Sequence, residues 1–261
     1  MHEMQPMKKL SWYVYRVARA VVRRLFPEPQ ITGMENLPAD RPCIIVGNHA
    51  QAYGPIYMEL YLPGRRAIWC IAEMMHMKEV PDYAFRDFWS RKPLWCRWVY
   101  RLLSFAVAPL IPCVLNNAHT IGVYRDSRII NTMRESLKRM KEGANIVIFP
   151  EHEVFRNGIV WEFQEGFVNL ARLYTRQTGE GVDFVPMYVA PRLRRVCLGS
   201  PIAYDPTADP GAEAHRVCDA LMDAVTDLAL ALPPHVAVPY PNLPKHSYIS
   251  TDSMKGAPAV K

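Results

Sequence analysis

Apolar runs and polar breaks divide residues 30–230 into alternating strands and helices. The clearest run is Ile44-Ile45-Val46-Gly47, preceded by Pro42 and closed by the polar pair Asn48-His49. A short β-branched run bounded in this way predicts a buried strand. Asn145-Ile146-Val147-Ile148-Phe149-Pro150 predicts a second, and residues 182–189 a third. Shorter strands are expected at residues 67–72, 121–125 and 196–199. Elsewhere apolar positions recur at helical spacing. Ile129, Ile130, Met133, Leu137 and Met140 share one face, and Gly143 stops that helix. Phe163, Phe167, Leu170 and Leu173 do the same in a helix expected over 162–178, and Val217, Leu221, Val225 and Leu228 in one over 212–230. This alternation predicts an α/β fold, a single-domain mixed sheet flanked by helices.

The flanks differ. Residues 8–26 predict an amphipathic helix with Leu10, Tyr13, Val14, Val17, Val21 and Leu25 on one face and Arg16, Arg19 and Arg23 on the other. Such a helix either lies on an anionic membrane or packs on its own domain with a solvated charged face. The excess of arginine over acid favours the membrane. Residues 62–117 are rich in Trp, Met and Pro, with helical stretches expected at 83–89 and 94–106. They suit ordinary core, a flexible apolar pocket for a lipid chain, or a membrane interface. Residues 102–124 carry no charge, but only 102–115 are mostly apolar and they contain Pro109 and Pro112. A spanning helix needs about 20 apolar residues, so core or an interfacial segment is expected. Beyond Pro233 the chain is proline-rich and aperiodic, which predicts loose packing. The expected organisation is a basic helix over 1–27, an α/β domain over 28–232 with an insert at about 62–117, and a tail over 233–261.

Composition narrows the function. Of 261 residues, 50% are hydrophobic, enough for a packed core, and the net charge of +6 suits an anionic partner. The six cysteines form no CxxC pair, so neither a zinc site nor a redox motif is indicated. The first residues lack the long apolar core of a signal peptide. Nucleic-acid binding needs basic and aromatic residues clustered as a platform on one element, and the basic charge here is explained as well by a membrane and a phosphate, so no nucleic-acid partner is expected.

Three polar clusters close predicted strands: Asn48-His49, Arg125 and Glu151-His152. Ligands of open α/β sheets bind at the carboxyl ends of strands, where such clusters can converge. A histidine there can act as a general base near neutral pH, or it can merely cap the strand. No nucleophilic Ser or Cys adjoins His49, which argues for direct activation of a substrate hydroxyl over a covalent enzyme intermediate. His152 lies between Glu151 and Glu153, but no second ligand set has metal-site spacing, so no metal is expected.

Four blocks in order resemble the glycerolipid acyltransferases of the lysophosphatidic acid acyltransferase (PlsC-like) type. They are Ile44-Ile45-Val46-Gly47-Asn48-His49, Gly122-Val123-Tyr124-Arg125, Ile148-Phe149-Pro150-Glu151 and Phe184-Val185-Pro186-Met187-Tyr188-Val189. The resemblance spans about residues 30–230 and implies a PlsC-like fold. It also implies that His49 deprotonates an acceptor hydroxyl, which attacks the thioester of acyl-CoA or acyl-carrier protein; no other cofactor is implied. Arg125 would hold the acceptor's phosphate, a role suited to a planar donor fork. Glu151 would be the site carboxylate, with Asn48, Phe149, Pro150 and His152 around the substrate. The function implied is acyl transfer to a lysophospholipid-like, glycerol-phosphate acceptor at the cytoplasmic face of a membrane, to which the protein is peripherally bound.

Two departures stand out. The family's histidine is followed, after four residues, by an aspartate that orients it, and Gly54 occupies that position. The third block continues His152-Glu153-Val154 where the family has Gly-Thr-Arg, although Arg156 lies nearby. Loss of an orienting carboxylate costs on the order of 10⁴ in rate in a hydrolase. Three readings follow. Glu151, Glu153, Glu73 or Asp87 replaces the aspartate; Tyr53 or a backbone carbonyl orients His49; or the chain is a catalytically impaired relative that binds lipid or a partner.

Overall fold

The computed structural model describes residues 6–89, 93–241 and 243–254. In chain order the main elements are α1 (Pro6–Leu25), β1 (Gln30–Thr32), β2 (Ile44–Gly47), α2 (Tyr53–Tyr61), β3 (Arg66–Ile71), α3 (Val80–Ala84), α4 (Arg97–Val107), α5 (Leu110–Leu115) and β4 (Thr120–Val123). There follow α6 (Ile129–Lys141), β5 (Asn145–Ile148), β6 (Glu151–Phe155), β7 (Trp161–Phe163), α7 (Asn169–Thr178), β8 (Asp183–Ala190), β9 (Arg195–Leu198), β10 (Ile202–Ala203) and α8 (Pro210–Ala231). The fold is mixed α/β, with a mostly parallel sheet and flanking helices, as the alternation predicted. Contacts group the chain into two compact units. Unit 1 comprises Met1–Phe26 and Ile68–Arg134, and unit 2 comprises Pro27–Ala67 and Glu135–Lys261.

In unit 2 the strand order is β1-β9-β8-β2-β5, with β10 also paired to β8. β2 runs parallel to both neighbours, with Ile44 opposite Ile146 on β5 and Phe184 on β8. All of β2 and all of β8 are buried. A parallel strand covered on both faces has no solvent side, which explains the unbroken apolar runs. α8 packs on β8 and buries Val217, Leu221, Val225 and Ala229. Its start is fixed by sequence: the Asp209 carboxylate accepts from the Gly211 and Ala212 amides at 3.0 Å each, and Pro210 opens the helix.

Two expectations in unit 2 need correction. Residues 161–163 form β7, antiparallel to β6, where a helix start was expected; the helix proper begins at Asn169. The β6–β7 turn is held by the Asn157 Oδ1, which accepts from the amides of Ile159 and Val160. The proline-rich tail, expected to be loose, folds back onto unit 2 over its described residues. Val236 bridges Ser250, and His235, Ala237, Val238 and Thr251 are buried.

In unit 1, β3 and β4 pair in parallel, Ile68 opposite Thr120. α1 packs against α5, and Asn117 Nδ2 donates to Ser11 Oγ at 2.9 Å. A small core of Val80, Ala84 and Ala108 takes in Trp89 and Ile111. α4 is patterned inside out: Ser104 is fully buried, whereas Trp98, Leu102 and Phe105 are exposed. On α1 the stripe Tyr13, Val17, Val21 and Leu25 is likewise exposed. The Trp-rich region is therefore only partly core, since Trp95 is 80% exposed.

Candidate functional site

The site forms where β2 ends. Asn48 is buried, and its side-chain amide pairs with the backbone of Val189 in both directions. Its Nδ2 donates to the Val189 oxygen at 3.1 Å, and its Oδ1 accepts from the Val189 amide at 2.7 Å. Asn48, expected beside the substrate, thus splices the end of β2 to β8 and fixes where His49 emerges. The chain then turns through Ala50 and Gln51, both left-handed, with φ of 45° and 57°. For residues other than glycine this costs roughly 1–2 kcal/mol each. The turn brings the Gln51 carbonyl onto His49 Nδ1. A carbonyl only accepts, so Nδ1 carries a proton, and in the neutral imidazole Nε2 then keeps its lone pair. The backbone carbonyl, one of the alternatives left open by the sequence, therefore occupies the place of an orienting carboxylate.

Position 54, where the family has its aspartate, is closely packed. Gly54 is the second residue of α2, and its amide donates to the His49 carbonyl at 3.1 Å. A Cβ at position 54 would lie 2.6 Å from Phe149 Cε1 and 2.8 Å from that carbonyl. The room for any side chain is taken by the Phe149 ring, which also meets the His49 ring edge-on with centroids 5.3 Å apart. Phe149 is accordingly a packing partner of the histidine.

Glu151 is buried and holds the backbone of the site. Oε2 accepts from the His49 amide at 2.5 Å, and Oε1 accepts from the Trp161 amide at 3.0 Å. Burial pushes its carboxyl up to about 7, against the lowering pull of these two amides. Both oxygens thus serve main chain, fixing the histidine's position while Gln51 fixes its ring. Pro150 is buried beside it, and His152 is half-buried on β6. Glu153 is exposed on that strand. Arg156 forms ion pairs with Asp219 at 2.9 Å and Asp223 at 3.0 Å on α8, which ties the hairpin to that helix. Arg125 and Glu73 belong to unit 1. Arg125 is exposed just beyond β4, with no ion pair among the described residues. The Asp87 side chain lies outside the described residues.

Three contributors escaped sequence reasoning. Gln51 acts through its carbonyl, and a left-handed Ala-Gln pair leaves no mark in composition. Tyr240 meets the His49 ring edge-on at 5.8 Å, and the Tyr248 hydroxyl accepts from Gln51 Nε2 at 2.8 Å. Both tyrosines come from the tail, nearly 200 residues downstream of the histidine.

Residues 28–190 match the family model described as Acyltransferase, more than half of the chain. No curated protein matches the chain in sequence. Among solved structures, the fold matches the 1-acyl-sn-glycerophosphate (LPA) acyltransferase PlsC from Thermotoga maritima with a TM-score of 0.50. The two are 17% identical, over 88% of this chain and 86% of that one. With a family match covering its central strands, His49 and Glu151, the chain belongs to the acyltransferase family.

Proposed function

We propose that the protein transfers a fatty acyl group from acyl-CoA or acyl-carrier protein to the hydroxyl of a lysophospholipid-like, glycerol-phosphate acceptor at a membrane surface. The observation that carries this reading is His49 at the end of β2 with Nδ1 on the Gln51 carbonyl, which leaves Nε2 as a proton acceptor. In the proposed reaction Nε2 takes the acceptor's hydroxyl proton and the oxygen attacks the thioester carbonyl. The tetrahedral intermediate collapses, the C–S bond breaks, and the imidazolium returns the proton to the leaving thiolate. Arg125 holds the acceptor's phosphate, and no cofactor beyond the acyl donor takes part.

The proposed seating is peripheral and on the cytoplasmic face, and features of unit 1 suit its interfacial part. Leu94–Leu115 is long and apolar enough to cross a membrane by length and composition. Pro109 and Pro112 interrupt it, however, and Ser104 and Ala108 are packed inside the unit. A segment broken into α4 and α5, anchored in the unit by Ser104 and Ala108 with Trp98, Leu102 and Phe105 outward, suits the interface plane better than a crossing. Basic residues on α1 and α4 suit an anionic surface.

Gly54 favours a second reading, a catalytically impaired relative that binds lipid. The two separate in one assay. Purified protein is incubated with acyl-CoA and a panel of lysophosphatidic acids, and free CoA is measured. The enzyme reading expects release that depends on acceptor and is lost in His49→Ala. Equal, slow release from both proteins on every acceptor would support the lipid-binding reading.

A further inference from the structure

The segment 233–254 lies beyond the residues that match the acyltransferase model. It is nevertheless stitched to the strand beside β2. His235 Nδ1 donates to the Pro233 carbonyl at 2.8 Å, which makes Nε2 the acceptor for the buried Tyr188 hydroxyl of β8, also at 2.8 Å. The Thr251 amide donates to the His235 carbonyl at 2.8 Å, and the Ala237 amide to the Ile249 carbonyl at 2.9 Å. The loop so closed carries Tyr240 to the His49 ring and Tyr248 to the Gln51 side chain.

We infer that this C-terminal strap is part of the catalytic apparatus, with Tyr248 a positioning residue that acts on His49 through Gln51. Two successive left-handed residues do not hold themselves, and an unrestrained Ala50-Gln51 turn relaxes toward ordinary backbone. Relaxation withdraws the Gln51 carbonyl from Nδ1 and frees the imidazole to take the other tautomer, in which Nε2 carries the proton and accepts none. The Gln51 Nε2 to Tyr248 hydroxyl bond is the one side-chain tie from the turn to a distant segment among the described hydrogen bonds. Tyr240 restricts the same ring from its edge.

The inference rests on the acyltransferase reading only for its catalytic meaning, so its test includes a signal independent of turnover. Full-length protein labelled with ¹⁵N-histidine is compared as wild type, Tyr248→Phe, Gln51→Ala and the double variant, with His49 signals assigned by their loss in His49→Gln. The wild type is expected to show the Nδ1–H tautomer. Each single variant is expected to show a mixture, and the double variant no more than either single one. In parallel, kcat is expected to fall about three- to tenfold in each single variant with KM for acyl-CoA unchanged, about the worth of one hydrogen bond. The double variant is expected to fall no further, and all melting temperatures to stay close to that of wild type. A His49 tautomer unchanged in both single variants, or losses that multiply in the double variant, would overturn the inference. If the tautomer responds but wild type transfers no acyl group, the positioning role stands and the acyltransferase reading fails.

Discussion

The two units use their apolar residues in opposite directions. Unit 2 buries them: β2, β5, β8 and α8 close over a core in which Ile44, Ile45, Phe184, Val185 and Tyr188 are almost wholly inaccessible. Among its described residues unit 1 buries fewer large side chains, Ile68, Val80 and Ile121 among them, and displays Trp95, Trp98, Leu102 and Phe105 outward, with a further stripe on α1. Burial of such side chains contributes about 1.5–3 kcal/mol each, so a surface that withholds several from a core is suited to another apolar medium. The unit with buried strands carries the histidine, its carbonyl partner and the buried glutamate. The unit with outward aromatics carries the exposed Arg125. On the proposed reading, chemistry falls to the packed unit and lipid contact to the unit with outward aromatics.

Substitutions can break this division or sharpen it. The largest effect is expected at His49: His49→Gln should lower acyl transfer by about 10²–10⁴, the range for loss of a general base, and leave vesicle binding intact. Loss of vesicle binding with it would dissolve the division. Trp98→Glu with Leu102→Glu should weaken co-sedimentation with anionic vesicles about tenfold or more at unchanged melting temperature, because neither side chain belongs to the core. Undiminished binding would remove α4 from the lipid-facing surface. Gly54→Ala should destabilise unit 2 by about 1–3 kcal/mol, since its Cβ meets the His49 carbonyl as well as a movable ring. Denaturant unfolding checks that cost.

The smallest effect concerns pH. Glu151 binds its proton more tightly when folded, at about 7 against an ordinary 4.5. Its contribution to stability is therefore fully present below pH 4.5 and is lost as the pH rises through about 7. In Glu151→Gln that part of the pH dependence should vanish from melting curves taken between pH 5 and 8. Below about pH 7 the variant should also be less stable than wild type, because a side-chain NH₂ then faces one of the two backbone amides.

Much of this was legible in the sequence where one physical signal dominates. β2, β5 and β8 announce themselves because parallel burial demands unbroken β-branched runs. α8 does so through its spaced apolar residues, although its start at Asp209-Pro210 was not read and the helix was expected from residue 212. The β6–β7 hairpin was missed because Glu162 and Phe163 fit the start of a helical pattern, although Asn157-Gly158 between two apolar stretches is a hairpin signal. The tail was misread because proline and aperiodicity mark an extended strap as readily as a loose end. His49, Glu151 and Arg125 were visible as polar residues closing apolar strands. Asn48 was visible but was assigned to the substrate, not to the scaffold. Gln51 was invisible, since its role belongs to its backbone. Tyr240 and Tyr248 reach the site only through tertiary contacts.

The central claim is that the Gln51 carbonyl does the work of the missing carboxylate in a site closed to a side chain at position 54. The direct measurement is the rate of acyl transfer by Gly54→Asp beside wild type, from equally folded preparations. The expected result is a rate below that of wild type, because the new side chain displaces Phe149 and disturbs His49. A rate tenfold or more above wild type would contradict the account, for it would show a histidine still waiting for its aspartate.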